Sequence, residues 1–191
     1  MGQLISTHVL QPSAAGGVAP GAEIRDQLRM DHDSALAGLE ALRAESDAER
    51  CFAMLRRLRR VWVIHALAEE TVVYRALESA EDAIASGMRA DDRFVEHERV
   101  EGAFEMLARS RPGTPEWRSR VDSVRELILH HIRTEHDGMF AQLARHFDAA
   151  ARAEMGERFE LARDKLTVLE EAKAHRARGG EGRPGASSGL Q

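Results

Sequence analysis

The chain has 191 residues, of which 43% are hydrophobic and 31% charged, with a net charge of -5; this suffices for one substantial core, and nothing in it marks a second globular domain. An acidic balance without a basic stripe argues against a nucleic-acid surface, and the run Arg56-Arg57 with Arg59-Arg60 reads as a solvated helix face. No apolar run approaches the roughly 18 residues of a membrane span, and a single thiol, Cys51, without a visible export signal makes a reducing, cytoplasmic location the expectation.

Ala, Leu, Arg and Glu are abundant, so helix is expected nearly throughout. A Gly, Ala and Pro-rich stretch over residues 1–21 reads as a flexible tail. Helix one follows to about residue 45, with Ile24, Leu28, Ala35, Leu39 and Leu42 as its apolar stripe and His32 in the middle of it. Helix two, about 47–80, places Leu55, Leu58, Trp62, His65, Glu69, Val72 and Ala76 on one face. Gly87 marks the break before helix three, about 88–110, whose expected inner face is Phe94, His97, Glu101, Phe104 and Leu107. Thr114 as N-cap and Pro115 at the first helical position open helix four, which runs to about 147 with Val121, Val124, Ile128, His131, Glu135 and Met139 inward.

A further amphipathic segment, 148–178, starts at a capping Asp148 and carries Met155, Phe159, Ala162, Leu166 and Leu169 as its stripe. It reads as an additional C-terminal helix, packed outside the bundle or against a protein partner, and residues 179–191 read as a second tail. Short connections make sequential helices antiparallel neighbours. The expected fold class is therefore all-α: an up-down-up-down antiparallel four-helix bundle over residues 22–147 with one helix added.

Helices two and four repeat one pattern. His65, Glu69, Tyr74 and Leu77 match His131, Glu135, Phe140 and Leu143 position for position. Residues four apart share a helix face, so each pair offers an imidazole and a carboxylate to one point. With His32 and His97 the histidines fall 33, 32 and 34 residues apart, one to each helix. The inward polar set is then His32, His65, Glu69, His97, Glu101, His131 and Glu135. Burying unpaired carboxylates costs several kcal/mol each, and two divalent cations would compensate them. Mixed imidazole and carboxylate suits iron or manganese, with zinc possible, whereas calcium and magnesium prefer oxygen alone. Intrahelical hydrogen bonds are the competing account of each pair, but not of all of them together. His130 points off the core stripe, His136 reads as a packed histidine near Phe140, Tyr74 as a core aromatic, and His8, His146 and His175 as solvated.

These residues resemble the hemerythrin-like proteins, the HHE cation-binding domain family. Asp31-His32, His65 with Glu69-Glu70, Glu96-His97 and His131 with Glu135 follow that family's order over residues 24–147, and Gly156-Glu157-Arg158-Phe159 is similar to a stretch that often follows the bundle. The resemblance implies two non-haem iron ions bridged by Glu69 and Glu135, with the four histidines as terminal ligands. Two positions depart from the oxygen carriers: Glu101 stands where they have a histidine, and His136 where they have an acid. A carboxylate-rich shell favours the ferric state. Two functions follow as expectations, a module that binds or senses O2, NO or iron, and an enzyme that consumes peroxide or nitric oxide. A purely structural bundle, without metal, is the third.

Overall fold

A computed structural model describes residues 22–80 and 90–180, and the described residues are all helix and connections. Helix α1 spans Ile24–Ala44 and α2 spans Ala48–Glu69, running on through a π-helical turn, Glu70–Tyr74, into a last α-helical turn, Arg75–Glu78. Helix α3 spans Ala90–Ala108 and α4 spans Pro115–Thr134, which continues through a second π-helical turn, Glu135–Met139, into Phe140–His146. Helix α5 spans Ala149–Gly180. The tail expected over residues 1–21, the break at Gly87 and residues 181–191 lie outside the described residues.

The caps are chemical. Asp47 accepts from the Arg50 amide at 2.8 Å, Thr114 from Trp117 at 3.1 Å, and Asp148 from Ala151 at 2.8 Å, each satisfying an amide that the first helical turn leaves over. Gly113 turns the chain into α4 at a φ of 78°, a conformation that a side chain disfavours.

Around the bundle α1 packs on α2, α2 on α3, α3 on α4 and α4 on α1. Helix α5 lies along α1 and α2, so its apolar stripe is covered by this chain's own helices. Met155 and Phe159 are buried there, while Leu169, expected on the same stripe, is exposed. Gly156 permits the approach: a Cβ there would sit 2.4 Å from the carbonyl oxygen of Ala22. No helix among the described residues is long and apolar enough to cross a membrane.

Two apolar clusters fill the interior. One gathers Leu28, Val72, Tyr74, Phe140, Leu143 and Phe159, and the other Leu42, Trp62, Phe104, Trp117, Val121 and Ile128. The inward polar residues come between them along the helices: His32 lies between Leu28 and Leu39, and His131 between Ile128 and Met139. A polar layer thus separates two apolar halves.

Candidate metal centre

The two π-helical turns explain how the repeat closes around this layer. Glu69 and Tyr74 are five residues apart, as are Glu135 and Phe140; in a regular α-helix five residues turn about 500°, which leaves the second residue some 140° away from the first. A π-helical turn begins directly after Glu69 and directly at Glu135. Each takes up one extra residue. Tyr74 and Phe140 therefore return to the core with the glutamates, at 1% and 5% exposure. Such turns are rare and concentrate at functional sites.

Six of the seven expected residues come together: His32, His65, Glu69, His97, His131 and Glu135 are all buried. Nε2 of His32 lies 3.2 Å from Nε2 of His65 and 3.4 Å from Oε2 of Glu135. Oε2 of Glu69 lies 3.6 Å from Nε2 of His65, 3.3 Å from that of His97 and 3.9 Å from that of His131. Nε2 of His131 is 3.2 Å from Oε1 of Glu135. Four imidazoles and two carboxylates thus aim at one small volume from four helices. Within it, His32, His65 and His131 form one group of ligand atoms that could hold a cation, and Glu69, His97 and His131 another.

Glu101 is the seventh, and its placement corrects the expectation. Its side chain is 46% exposed and its Oε1 accepts from Nη2 of Arg59 at 3.0 Å, on the outer surface between α2 and α3. The inner stripe of α3 is His97, Val100, Phe104 and Leu107. Residue 101 lies about 100° around the helix from residue 100, and the larger gain from burying Val100 decides the rotation.

Three carboxylates that sequence reasoning quoted but gave no role hold the imidazoles from behind. Oδ2 of Asp31 lies 3.1 Å from Nδ1 of His65, Oε1 of Glu70 lies 2.8 Å from Nδ1 of His97, and Oε2 of Glu96 lies 3.5 Å from Nδ1 of His131. Each acid reaches from one helix to the next. A carboxylate at Nδ1 keeps the ring proton there and leaves the Nε2 lone pair free for a cation. The signal was legible: Asp31 and Glu96 precede a cluster histidine, and Glu70 follows a cluster glutamate. His32 differs in having no carboxylate at its buried Nδ1, and the Glu96 contact is the loosest of the three, since Nδ1 of His131 makes no well-aligned hydrogen bond either. His136, which follows Glu135 as Glu70 follows Glu69, is exposed, with its ring 4.7 Å from Phe140.

Aromatic rings wall the layer. Trp62 packs its ring 5.5, 5.8 and 5.3 Å from those of His65, His97 and His131. Tyr74 stacks on His97 and brings its hydroxyl 3.4 Å from Nε2. Its burial fits the expected core aromatic, and its hydroxyl also makes the polar contact near the site that a tyrosine there can offer.

Electrostatics agree with a site that expects positive charge. Burial pushes the His32 imidazole well below its usual range, helped by the fields of His65 and His131, and burial also lowers His131. Burial would likewise lower His97, but contacts to Glu69 and Glu70 outweigh it and raise that imidazole to about 9. Burial opposes ionisation of Glu69; its contacts with Glu135 and His97 and the histidine fields overcome that and hold it well below the usual carboxylate range. Glu69 is 0% exposed, and neither of its oxygens, nor Nε2 of His131, makes a geometrically sound hydrogen bond. Polar atoms of this kind, left over in a dry layer and matched in donor type, fit a pair of cations.

A "DNA nickase" of Nostoc sp. is 22% identical over 143 residues, 75% of this chain, and the chain spans only about 40% of that relative's length. The crystal structure of a hemerythrin HHE cation binding domain-containing protein from Mycobacterium kansasii superposes with a TM-score of 0.66 at 20% identity, over 81% of this chain and 93% of that one. The profile of the hemerythrin HHE cation binding domain matches residues 23–143, and the chain belongs to that family.

Proposed function

We propose that His32, His65, Glu69, His97, His131 and Glu135 hold two iron ions, bridged by the two glutamates, and that the protein binds or senses a small ligand there, O2 or NO. One observation carries this: Glu69, a fully buried carboxylate whose oxygens make no well-aligned hydrogen bond, lies within 3.9 Å of three imidazole nitrogens. Four imidazoles and two carboxylates would not by themselves fill the coordination shells of two such cations, and the positions left over would suit an exchangeable ligand. The bound ions would supply redox or Lewis-acid chemistry. The chain's own residues exclude water through Trp62 and Phe159, orient the imidazoles through Asp31, Glu70 and Glu96, and set a tyrosine hydroxyl beside His97. Manganese or zinc suits the same donors. A reducing compartment such as the cytoplasm suits the buried, unpaired Cys51.

Turnover of peroxide or nitric oxide is the second reading. Glu101, exposed and held by Arg59, gives it no support, which leaves histidines able to shuttle protons. What favours it now is a link to solvent: Glu96 lies 3.5 Å from Nδ1 of buried His131 and 3.4 Å from Nε2 of His130, whose side chain is 57% exposed. The activity in the Nostoc protein's name is not part of the proposal, since Arg59, in the chain's most basic run, is occupied by Glu101 and Glu105.

Elemental analysis of protein purified from its own host tests the reading, with about two iron atoms per chain expected and protein free of transition metal refuting it. Hydrogen peroxide added to the iron-loaded protein then separates the two functions. A stoichiometric spectral change supports sensing, and sustained oxygen release supports the enzyme.

A further inference from the structure

Of the three acids that stand behind the cluster, one is itself gripped from outside the four-helix bundle. Asp31 presents Oδ2 to His65 and Oδ1, 3.2 Å away, to Nη1 of Arg163 on α5. Among the described residues no lysine or arginine pairs with Glu70 or Glu96 in this way. The guanidinium is well fixed. It donates to Oε1 of Glu160 at 3.0 Å and lies 5.7 Å over the ring of Phe159, which is fully buried and sits 6.1 Å from the His65 ring. Arg163 also lies beyond residues 23–143, where the family profile ends.

We propose that Arg163 is a positioning residue for the metal cluster, acting through Asp31 to hold His65 with Nε2 turned toward Glu69. A carboxylate with one oxygen committed to an arginine has a fixed plane, so its other oxygen stays on Nδ1 of His65. That contact sets both the tautomer and the ring orientation of the imidazole. Without Arg163, Asp31 keeps only one partner and, being at the bundle edge with a side chain 12% exposed, turns to water. His65 then loses its restraint. The fifth helix is thereby a working part of the site and not only a cover for α1 and α2.

The inference rests on the metal reading above, and the test separates the two. Cobalt(II) is the probe, because its visible bands report ligand geometry. The full chain and its Asp31→Asn, Arg163→Gln and Arg163→Lys variants are loaded with cobalt, and band positions and the rate of cobalt loss to excess chelator are recorded. Asp31→Asn should release cobalt at least about tenfold faster. Arg163→Gln should shift the bands in the same direction and speed release by about threefold or more, since it acts one contact further out. Arg163→Lys, which keeps the charge, should recover most of both. Wild-type protein that takes up no cobalt would overturn the metal reading and this inference with it. If wild type loads and Asp31→Asn responds, but Arg163→Gln keeps wild-type bands and release rate, Arg163 only packs α5 and the proposal fails. Should Arg163→Gln not fold, the comparison passes to Arg163→Lys, whose longer and less directional contact must still give bands between wild type and Asp31→Asn.

Discussion

Stripped of cations, the protein should lose stability as the pH rises from 6.5 to 9.5, and His97 is the cause. In the metal-free fold this imidazole carries a proton between Glu69, 3.3 Å from Nε2, and Glu70, 2.8 Å from Nδ1. Those contacts outweigh burial and place its pKa at about 9 against an ordinary 6.5. A folded-state pKa above the unfolded value gives stability that is fully present below 6.5 and vanishes as the pH passes 9. At about 1.4 kcal/mol per pH unit the displacement is worth about 3 kcal/mol, a large share of a domain's net stability. His32 and His131 are displaced the other way and act on the acid side, where the unfolded chain takes up protons first and stability falls below about 6.5. Urea unfolding followed by far-UV circular dichroism, after verified chelation, should show the midpoint dropping by roughly 1–3 M between pH 6.5 and 9.5. Glu70→Gln should shrink that drop and His97→Gln abolish it. In iron-loaded protein it should be absent, because the cation takes the place of the proton. A metal-free midpoint that is flat over this range, or a drop that survives in His97→Gln, would refute the account of Glu69 and Glu70 as the groups that charge His97.

Glu69→Gln should lose both cations or leave one, as measured by elemental analysis, whereas Glu101→Gln should keep both and cost no more than about 1 kcal/mol, the worth of a surface ion pair; equal loss in the two would contradict the outward placement of Glu101. Iron loading should quench Trp62, whose ring lies within 5.8 Å of three cluster imidazoles, and leave Trp117 emitting. Quenching that persists undiminished in Trp62→Phe would mean that the reporter lies elsewhere. Gly156→Ala should lower the melting temperature by the equivalent of about 1–3 kcal/mol, since the new Cβ would meet Ala22 and Gln27 at 2.4 and 2.6 Å; an unchanged melting curve would show that α5 does not press on the start of α1.

What the sequence determined by itself was periodic. Apolar spacing and capping residues placed the helices, because burial of a stripe and satisfaction of end amides are local requirements, and the His65/Glu69 and His131/Glu135 repeats marked the polar layer because residues four apart must share a face. Tertiary structure decided what depends on rotation and on neighbours. Val100 and Glu101 are adjacent on α3, so a stripe drawn from spacing alone admits either, and only packing against α2 and α4 turned the valine in and left the glutamate to Arg59. The five-residue step from each glutamate to its aromatic is too long for an α-helix, and the π-helical turns that absorb it form because core packing of Tyr74 and Phe140 compensates irregular backbone hydrogen bonding. Asp31, Glu70 and Glu96 gain their roles only across helix boundaries, where distances follow from helix rotation that a one-dimensional pattern does not encode. The amphipathic fifth helix could equally have sought a partner; the gap between α1 and α2, with Gly156 allowing close approach, is what brought Phe159 and Arg163 to the back of His65.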